Sequence, residues 1–313
     1  MQNELKDLRE LKKKFKKAVL SRKQTIDELR LAYDDILYSP YVPNNVDLSE
    51  IKLRGVDTDV LKPEMAVSGR VILYAHGGSF ISGTKKAYRS FCAGLAHEAS
   101  ADLYLPEYKT APEYPFPAAL EDVYKVYAKL IESHTVEPAN LILAGDGAGG
   151  GLILSLIHYL KNKRLPLPAL LVLFSPWADL SCSSGGLNVN RKKDFVFSQE
   201  ALLGAAQLYT EEKNLTNELV SPIFGNFENF PPVFIQCGSN EILLDDSIRL
   251  CEKIEKAGGM AVLDKKDNMP HLFQALPDYF GNTHIAVEAV GKKITGFFDK
   301  GSVIENKADL IGE

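Results

Sequence analysis

Long apolar runs are missing from this chain of 313 residues: no run of about 18 apolar side chains occurs, so no membrane-spanning helix is expected. The amino terminus, Met1-Gln2-Asn3-Glu4-Leu5-Lys6-Asp7, is charged from the start and leads into no apolar core of a secretory leader, so a cytoplasmic location is expected. Cysteine is scarce. Cys92, Cys182, Cys237 and Cys251 are scattered, with no Cys-x-x-Cys pair and no histidine at metal-ligand spacing, which speaks against a disulfide framework or zinc finger and predicts reduced, mostly buried thiols. Positive charge is not in surplus either. The 36 Lys and Arg stand against 41 Asp and Glu, a formal net charge of -5, and this argues against a nucleic-acid partner, because phosphate binding needs a clustered excess of Lys and Arg. Internal repeats, low-complexity tracts and the phosphate-loop pattern G-x-x-x-x-G-K-[ST] are also absent.

What is present suits a soluble protein with a large core: 45% of residues are hydrophobic and 25% charged. Residues 1 to about 38 carry helical spacing, with Leu5, Leu8, Leu11, Phe15 and Val19 on one stripe and Ile26, Leu29, Tyr33 and Ile36 on another, after a break near Ser21. Two amphipathic helices are expected. The first carries Lys12, Lys13, Lys14, Lys16 and Lys17, read either as a solvated helix face or as a docking surface for anionic lipid or an acidic protein, without stable membrane insertion.

From about Ile51 short apolar runs alternate with longer helical stretches, the pattern of βα units around a mostly parallel, doubly wound sheet. Strands are expected at Val71–Tyr74, Asp102–Leu105, Leu141–Ala144, Ala169–Phe174 and Val233–Gln236. Helices are expected over Arg89–Glu98, Ala118–Ile131, Gly149–Lys161, Asp246–Ala257 and Ile285–Phe298. An insertion over 183–219, with one helix at Gln199–Tyr209, interrupts the rhythm and could fold over the sheet edge. The division is therefore a helical cap or lid at 1–45 and one α/β domain at 46–313.

The strand at Leu141 runs into Gly145-Asp146-Gly147-Ala148-Gly149-Gly150 and then a helix. This is the strand, sharp turn, helix setting of the nucleophile elbow G-x-S-x-G, with glycine where the central serine belongs. Glycine meets the backbone demand of a strained apex, so the turn survives the change while the chemistry is impaired. The side chain of Asp146 points away from such an apex and is no substitute.

A second segment, His76-Gly77-Gly78-Ser79-Phe80, follows a buried strand. The N-H groups of Gly77, Gly78 and Ala148 are read as three donors of an oxyanion hole, with His76 orienting the loop. Late in the chain lie Glu241, Asp245 and Asp246, then His271, in the elbow, acid, histidine order of such hydrolases. His271 is the candidate base and Glu241 the first choice of acid. Asp245 is the second, since Asp245 and Asp246 fall at a helix start where N-capping explains a carboxylate. His97, His134, His158 and His284 are given surface or packing roles.

Together with Tyr108-Lys109-Thr110-Ala111-Pro112-Glu113-Tyr114-Pro115 and Ser175-Pro176-Trp177-Ala178-Asp179, these motifs resemble the hormone-sensitive-lipase-like family of the α/β-hydrolase fold, above all its bacterial short-chain carboxylesterases, from about Gly55 to Phe298. The resemblance implies an N-terminal helical cap and cofactor-free ping-pong hydrolysis of small carboxylic esters, with structural roles for Trp177 and Asp179. Two positions depart from it: the family commonly has aspartate where Glu241 stands, and serine where Gly147 stands. The reading is an esterase that lost its nucleophile by engineering or natural change. Its alternative is a non-catalytic protein binding an apolar small molecule, and a homodimer is left open.

Overall fold

The computed structural model describes residues 7–21, 24–43 and 45–299. Two helices come first, α1 (Leu8–Ala18) and α2 (Ile26–Leu37). α2 opens with a capping box in which Thr25 and Glu28 satisfy each other's backbone N-H groups, so the helix has a defined start. The expected apolar stripe holds for Leu11 and Phe15, which are buried, but not for Leu8, which at the first turn of α1 is 42% exposed; Leu5 lies outside the described residues.

The body is a sheet of eight strands in the order β1-β2-β4-β3-β5-β6-β7-β8. Its strands are β1 (Val46–Leu53), β2 (Val56–Pro63), β3 (Val71–Ala75), β4 (Asp102–Pro106), β5 (Leu141–Asp146), β6 (Leu170–Phe174), β7 (Val233–Gly238) and β8 (Ala261–Lys266). β1 and β2 pair antiparallel with their neighbours, and β3 to β8 run parallel. The helices between them are α3 (Lys85–Ala99), α4 (Ala118–Glu132), α5 (Gly147–Lys163), α6 (Leu187–Asn190), α7 (Gln199–Tyr209), α8 (Leu244–Lys256) and α9 (Thr283–Asp299).

Side chains alternate across the strands and feed two cores. Leu73, Leu143, Leu171 and Ile235 face the layer containing α4 and α5, whereas Ile72, Ile142, Val172 and Phe234 face the layer containing α3 and α9. The central strands are buried on both faces, which is why they read as unbroken apolar runs. The β1–β2 hairpin was not expected. β1 is an edge strand with only Val46 buried, so it carries Asp47, Glu50 and Lys52 instead of an apolar run, and its turn at Arg54-Gly55 uses positive φ at both residues.

The strand order reverses at β3, which has β4 on one side and β5 on the other. A crevice therefore opens at the carboxyl ends of β3 and β5, where His76 and Gly147 stand. α2 sits beside that crevice: Arg30 donates to the carbonyls of Ile81 and Ala111 (both 2.9 Å) and pairs with Glu113, and Tyr33 and Tyr88 share a 2.8 Å hydrogen bond. From the other side α7 stacks Tyr209 on Phe80, with ring centroids 4.0 Å apart.

Candidate active site

Gly147 is the first residue of α5 and directly follows β5, so the chain turns from extended at Asp146 to left-handed, φ +47°, in one step. The glycine two residues on allows the close approach of helix and strand: a Cβ at Gly149 would lie 2.1 Å from the carbonyl oxygen of Ala75. The expected start of the helix at Gly149 moves back to the apex itself.

A Cβ added at Gly147 would lie 3.2 Å from Nε2 and 3.4 Å from Cε1 of His271, and within 4 Å of no other described atom outside its chain neighbours and the backbone of its own helix. The side chain missing at the apex is thus aimed at the imidazole. His271 hangs from the loop after β8, is 4% exposed, and joins Nδ1 to Oε2 of Glu241 at 2.8 Å. Carboxylate oxygens only accept, so Nδ1 carries a proton and, in the neutral ring, Nε2 presents its lone pair toward Gly147. Glu241 is fully buried and its other oxygen, Oε1, accepts from Ser175 Oγ at 2.7 Å and from the Gly238 amide, which fixes the carboxylate. Burial opposes a charge on His271, but the Glu241 hydrogen bond and charge, with Asp194 and Asp146 farther off, outweigh it and hold the imidazole pKa above its ordinary value.

The other acidic candidate is not brought to the imidazole. Asp245 accepts from Ser184 and lies 3.9 Å from Arg249. Asp246 accepts the amides of Ala178 and Asp179 at 2.8 and 2.9 Å, and burial, followed by the charge of Asp179, pushes its pKa up to about 7. It braces the loop on which buried Trp177 donates to the Asp179 carbonyl at 3.1 Å.

The expectation for Gly77 needs correction. Its N-H donates to Asp146 Oδ1 at 2.8 Å, so it is already taken. Asp146 is buried beneath the turn, where Tyr74 and Tyr88 hydroxyls also donate to it at 2.8 Å, and its side chain is turned away from the apex. The amides of Gly78, Ser79 and Ala148 donate to no hydrogen-bond partner among the described residues. Gly78, Ser79 and Phe80 all have positive φ (116°, 55°, 63°), which lifts this loop off the strand line, and Ala148 lies in the first turn of α5, where helix N-H groups have no intrahelical partner.

His76 is stacked on Tyr108 at 4.2 Å between centroids and its Nδ1 bonds the Gly77 carbonyl at 2.8 Å. Burial lowers its pKa, so the ring is neutral and serves to shape the loop. His158 is a packing residue: burial depresses its pKa to about 4 and Nε2 meets the Pro222 carbonyl at 3.0 Å.

Above Ser79 a narrow apolar cleft of about 10 Å³ is walled by Phe15, Leu29, Phe197, Ala201 and Ala205, room for about one water. A larger chamber of about 480 Å³ lies between the segment after α2, α3 and the start of α9; none of Gly147, Glu241 and His271 lines it. Among the described residues no group of three or more His, Cys, Asp or Glu side chains could hold a metal ion, and no helix is long and apolar enough to cross a membrane.

Three supports escaped the sequence reading. Ser175 holds Glu241, and Asn190 donates to the carbonyls of Ser239 and Glu241 at 2.9 and 3.0 Å. Asp194 accepts from the amides of Val196, Phe197 and Ile242 (2.7, 2.9 and 2.7 Å), and so sets Phe197 edge-on to His271 with centroids 4.8 Å apart. The local half of the Asp194 arrangement is an Asx turn that the sequence could have signalled; its reach to Ile242 is not.

Residues 72–275 match the family described as alpha/beta hydrolase fold. The chain is 33% identical to an acetyl-hydrolase of Streptomyces hygroscopicus, over 71% of this chain and 74% of that protein. It is 35% identical to an esterase of Acinetobacter venetianus, over 68% and 70%. Among solved structures, it is similar to an esterase from the bacterial hormone-sensitive lipase family, with a TM-score of 0.86, 29% identity and coverage of 92% of this chain and 96% of that one.

Proposed function

The chain belongs to the α/β-hydrolase fold family, in its hormone-sensitive-lipase-like branch, and on that premise we propose that it is a carboxylesterase scaffold for small esters whose nucleophile position is occupied by Gly147. The observation that carries this reading is the 3.2 Å between a Cβ built on Gly147 and Nε2 of His271. A serine there would set its hydroxyl against a nitrogen lone pair held in the accepting tautomer by Glu241.

In the chemistry so arranged, Nε2 takes the serine proton as Oγ attacks the ester carbonyl, and the alkoxide leaves with that proton. The oxyanion formed on attack meets the amides of Gly78, Ser79 and Ala148; Ser79 replaces Gly77, whose amide serves Asp146. Water then attacks the acyl group with His271 again as base, and no cofactor enters. With glycine at the apex no acyl-enzyme forms, and the chain with Gly147 retains at most the roughly 10³ to 10⁴-fold advantage over water that oxyanion stabilisation and binding supply. α1, α2 and the 183–219 insertion act as the cap, and because the cleft beneath them holds only about 10 Å³, the cap must open before an ester enters.

The test is Gly147→Ser assayed with p-nitrophenyl acetate and butyrate. Acid release with preference for acetate supports the reading. A folded variant without turnover supports instead a binding protein for an apolar small molecule, the reading that the absent hydroxyl itself favours.

A further inference from the structure

We propose that the outer face of α1 and the turn at Arg191–Lys193 together form a docking surface for anionic lipid bilayers, placed over the cleft that Ser79 and Phe197 help to line. α1 buries Leu11, Phe15 and Ala18, which leaves Lys12, Lys13, Lys16 and Lys17 exposed on its other side. Arg191, Lys192 and Lys193, far away in sequence, are exposed as well. The fold joins the two clusters: Phe15 packs edge-on against Phe195 with centroids 6.0 Å apart, and Lys12 Nζ stands 5.3 Å from the Phe195 ring centre, two residues from Lys193.

Acids do not neutralise this face. Lys14 pairs with Asp35 at 2.8 Å, Arg9 with Asp7 at 2.7 Å and Arg191 with Glu200 at 3.3 Å, and Glu10 lies on the same helix. Lys12, Lys13, Lys16, Lys17, Lys192 and Lys193 form no ion pair with a described residue. Six unpaired cations on a chain of net charge -5 are a local concentration, and their mutual repulsion is relieved by an anionic plane.

Two exposed apolar side chains distinguish a bilayer from an acidic protein as the occupant. Leu8, 42% exposed, is the first residue of α1, and Val189, 75% exposed, lies three residues before Lys192. Lysines flanked by apolar side chains suit a surface with anionic headgroups over acyl chains. The same segments wall the cleft through Phe15, Ala18, Val196 and Phe197, so a docked molecule would meet lipid-borne apolar compounds at the cleft mouth. This holds whether or not Gly147 stands for a lost nucleophile.

The experiment is co-sedimentation of the native chain with vesicles of phosphatidylcholine alone and of phosphatidylcholine mixed with phosphatidylglycerol, at low and high salt. Binding is expected only with phosphatidylglycerol and is weakened by salt. The double variants Lys12→Gln/Lys16→Gln and Lys192→Gln/Lys193→Gln should each weaken it about 25-fold, about fivefold per charge. Circular dichroism checks that both are folded. Val189→Ser should weaken binding to vesicles and leave binding to soluble poly-glutamate unchanged. Absence of binding at low salt, equal binding to phosphatidylcholine alone, or full binding by the folded Lys192/Lys193 variant overturns the proposal, as does tighter capture by poly-glutamate than by vesicles.

Discussion

The Nδ1 atom of His271 and the Oε2 atom of Glu241 lie 2.8 Å apart, on loops that follow adjacent parallel strands, with both side chains almost wholly removed from solvent. That pairing points the free edge of the imidazole at a residue with no side chain.

Replacing Gly147 by alanine should destabilise the fold by about 1 kcal/mol. A Cβ at φ +47° costs roughly 1–2 kcal/mol of backbone strain, offset by about 0.4–1 kcal/mol from the stiffer unfolded chain. Urea denaturation checks this. A stabilised variant would contradict the left-handed apex.

In the Gly147→Ser background, Glu241→Gln should lower kcat by about 10³ to 10⁴, because an amide can hold the imidazole in the wrong tautomer. Asp245→Asn should leave kcat within about threefold, since Asp245 does not reach His271. Steady-state kinetics on the two variants decide between the acids.

The raised pKa of His271 has opposite consequences for activity and stability. The base must be neutral, so kcat/KM of the Gly147→Ser variant should rise with pH and reach half its plateau above about 6.5, the ordinary histidine value. The charged ring is favoured in the folded state, so its stabilisation of the native chain is complete below about 6.5 and is lost as pH climbs through the raised value. Denaturation of the native chain across that window should show the loss, and Glu241→Gln should flatten it.

Asp194→Ala should destabilise by about 2 kcal/mol, because it strands the amides of Val196, Phe197 and Ile242. It should also loosen Phe197 beside His271, seen as a broadened imidazole resonance in NMR. An unchanged melting temperature and spectrum would argue against this bracing.

The sequence made the middle of the fold legible and its edges obscure. β3, β5, β6 and β7 are covered on both faces, so burial writes itself as apolar runs such as Leu141-Ile142-Leu143-Ala144. β1 is exposed along nearly its whole length and leaves no such trace. Gly147, Glu241 and His271 could be read from chain order and turn chemistry, and the structure brings these three together. Gly77 shows the limit. A glycine after a strand marks a loop that approaches closely, yet where its N-H points depends on Asp146, which is distant in sequence and reached only through the β3–β5 pairing. Ser175 and Asn190 were invisible for the same reason, each meeting the Glu241 loop only through tertiary contact.

Single-turnover kinetics of Gly147→Ser with p-nitrophenyl acetate tests whether position 147 is the lost nucleophile of an esterase. The expected result is release of p-nitrophenol with an acetyl group retained on residue 147, detected by mass spectrometry and then discharged to water. A variant that is folded by circular dichroism, retains the His271–Glu241 hydrogen bond by NMR and yet takes up no acetyl group would contradict it.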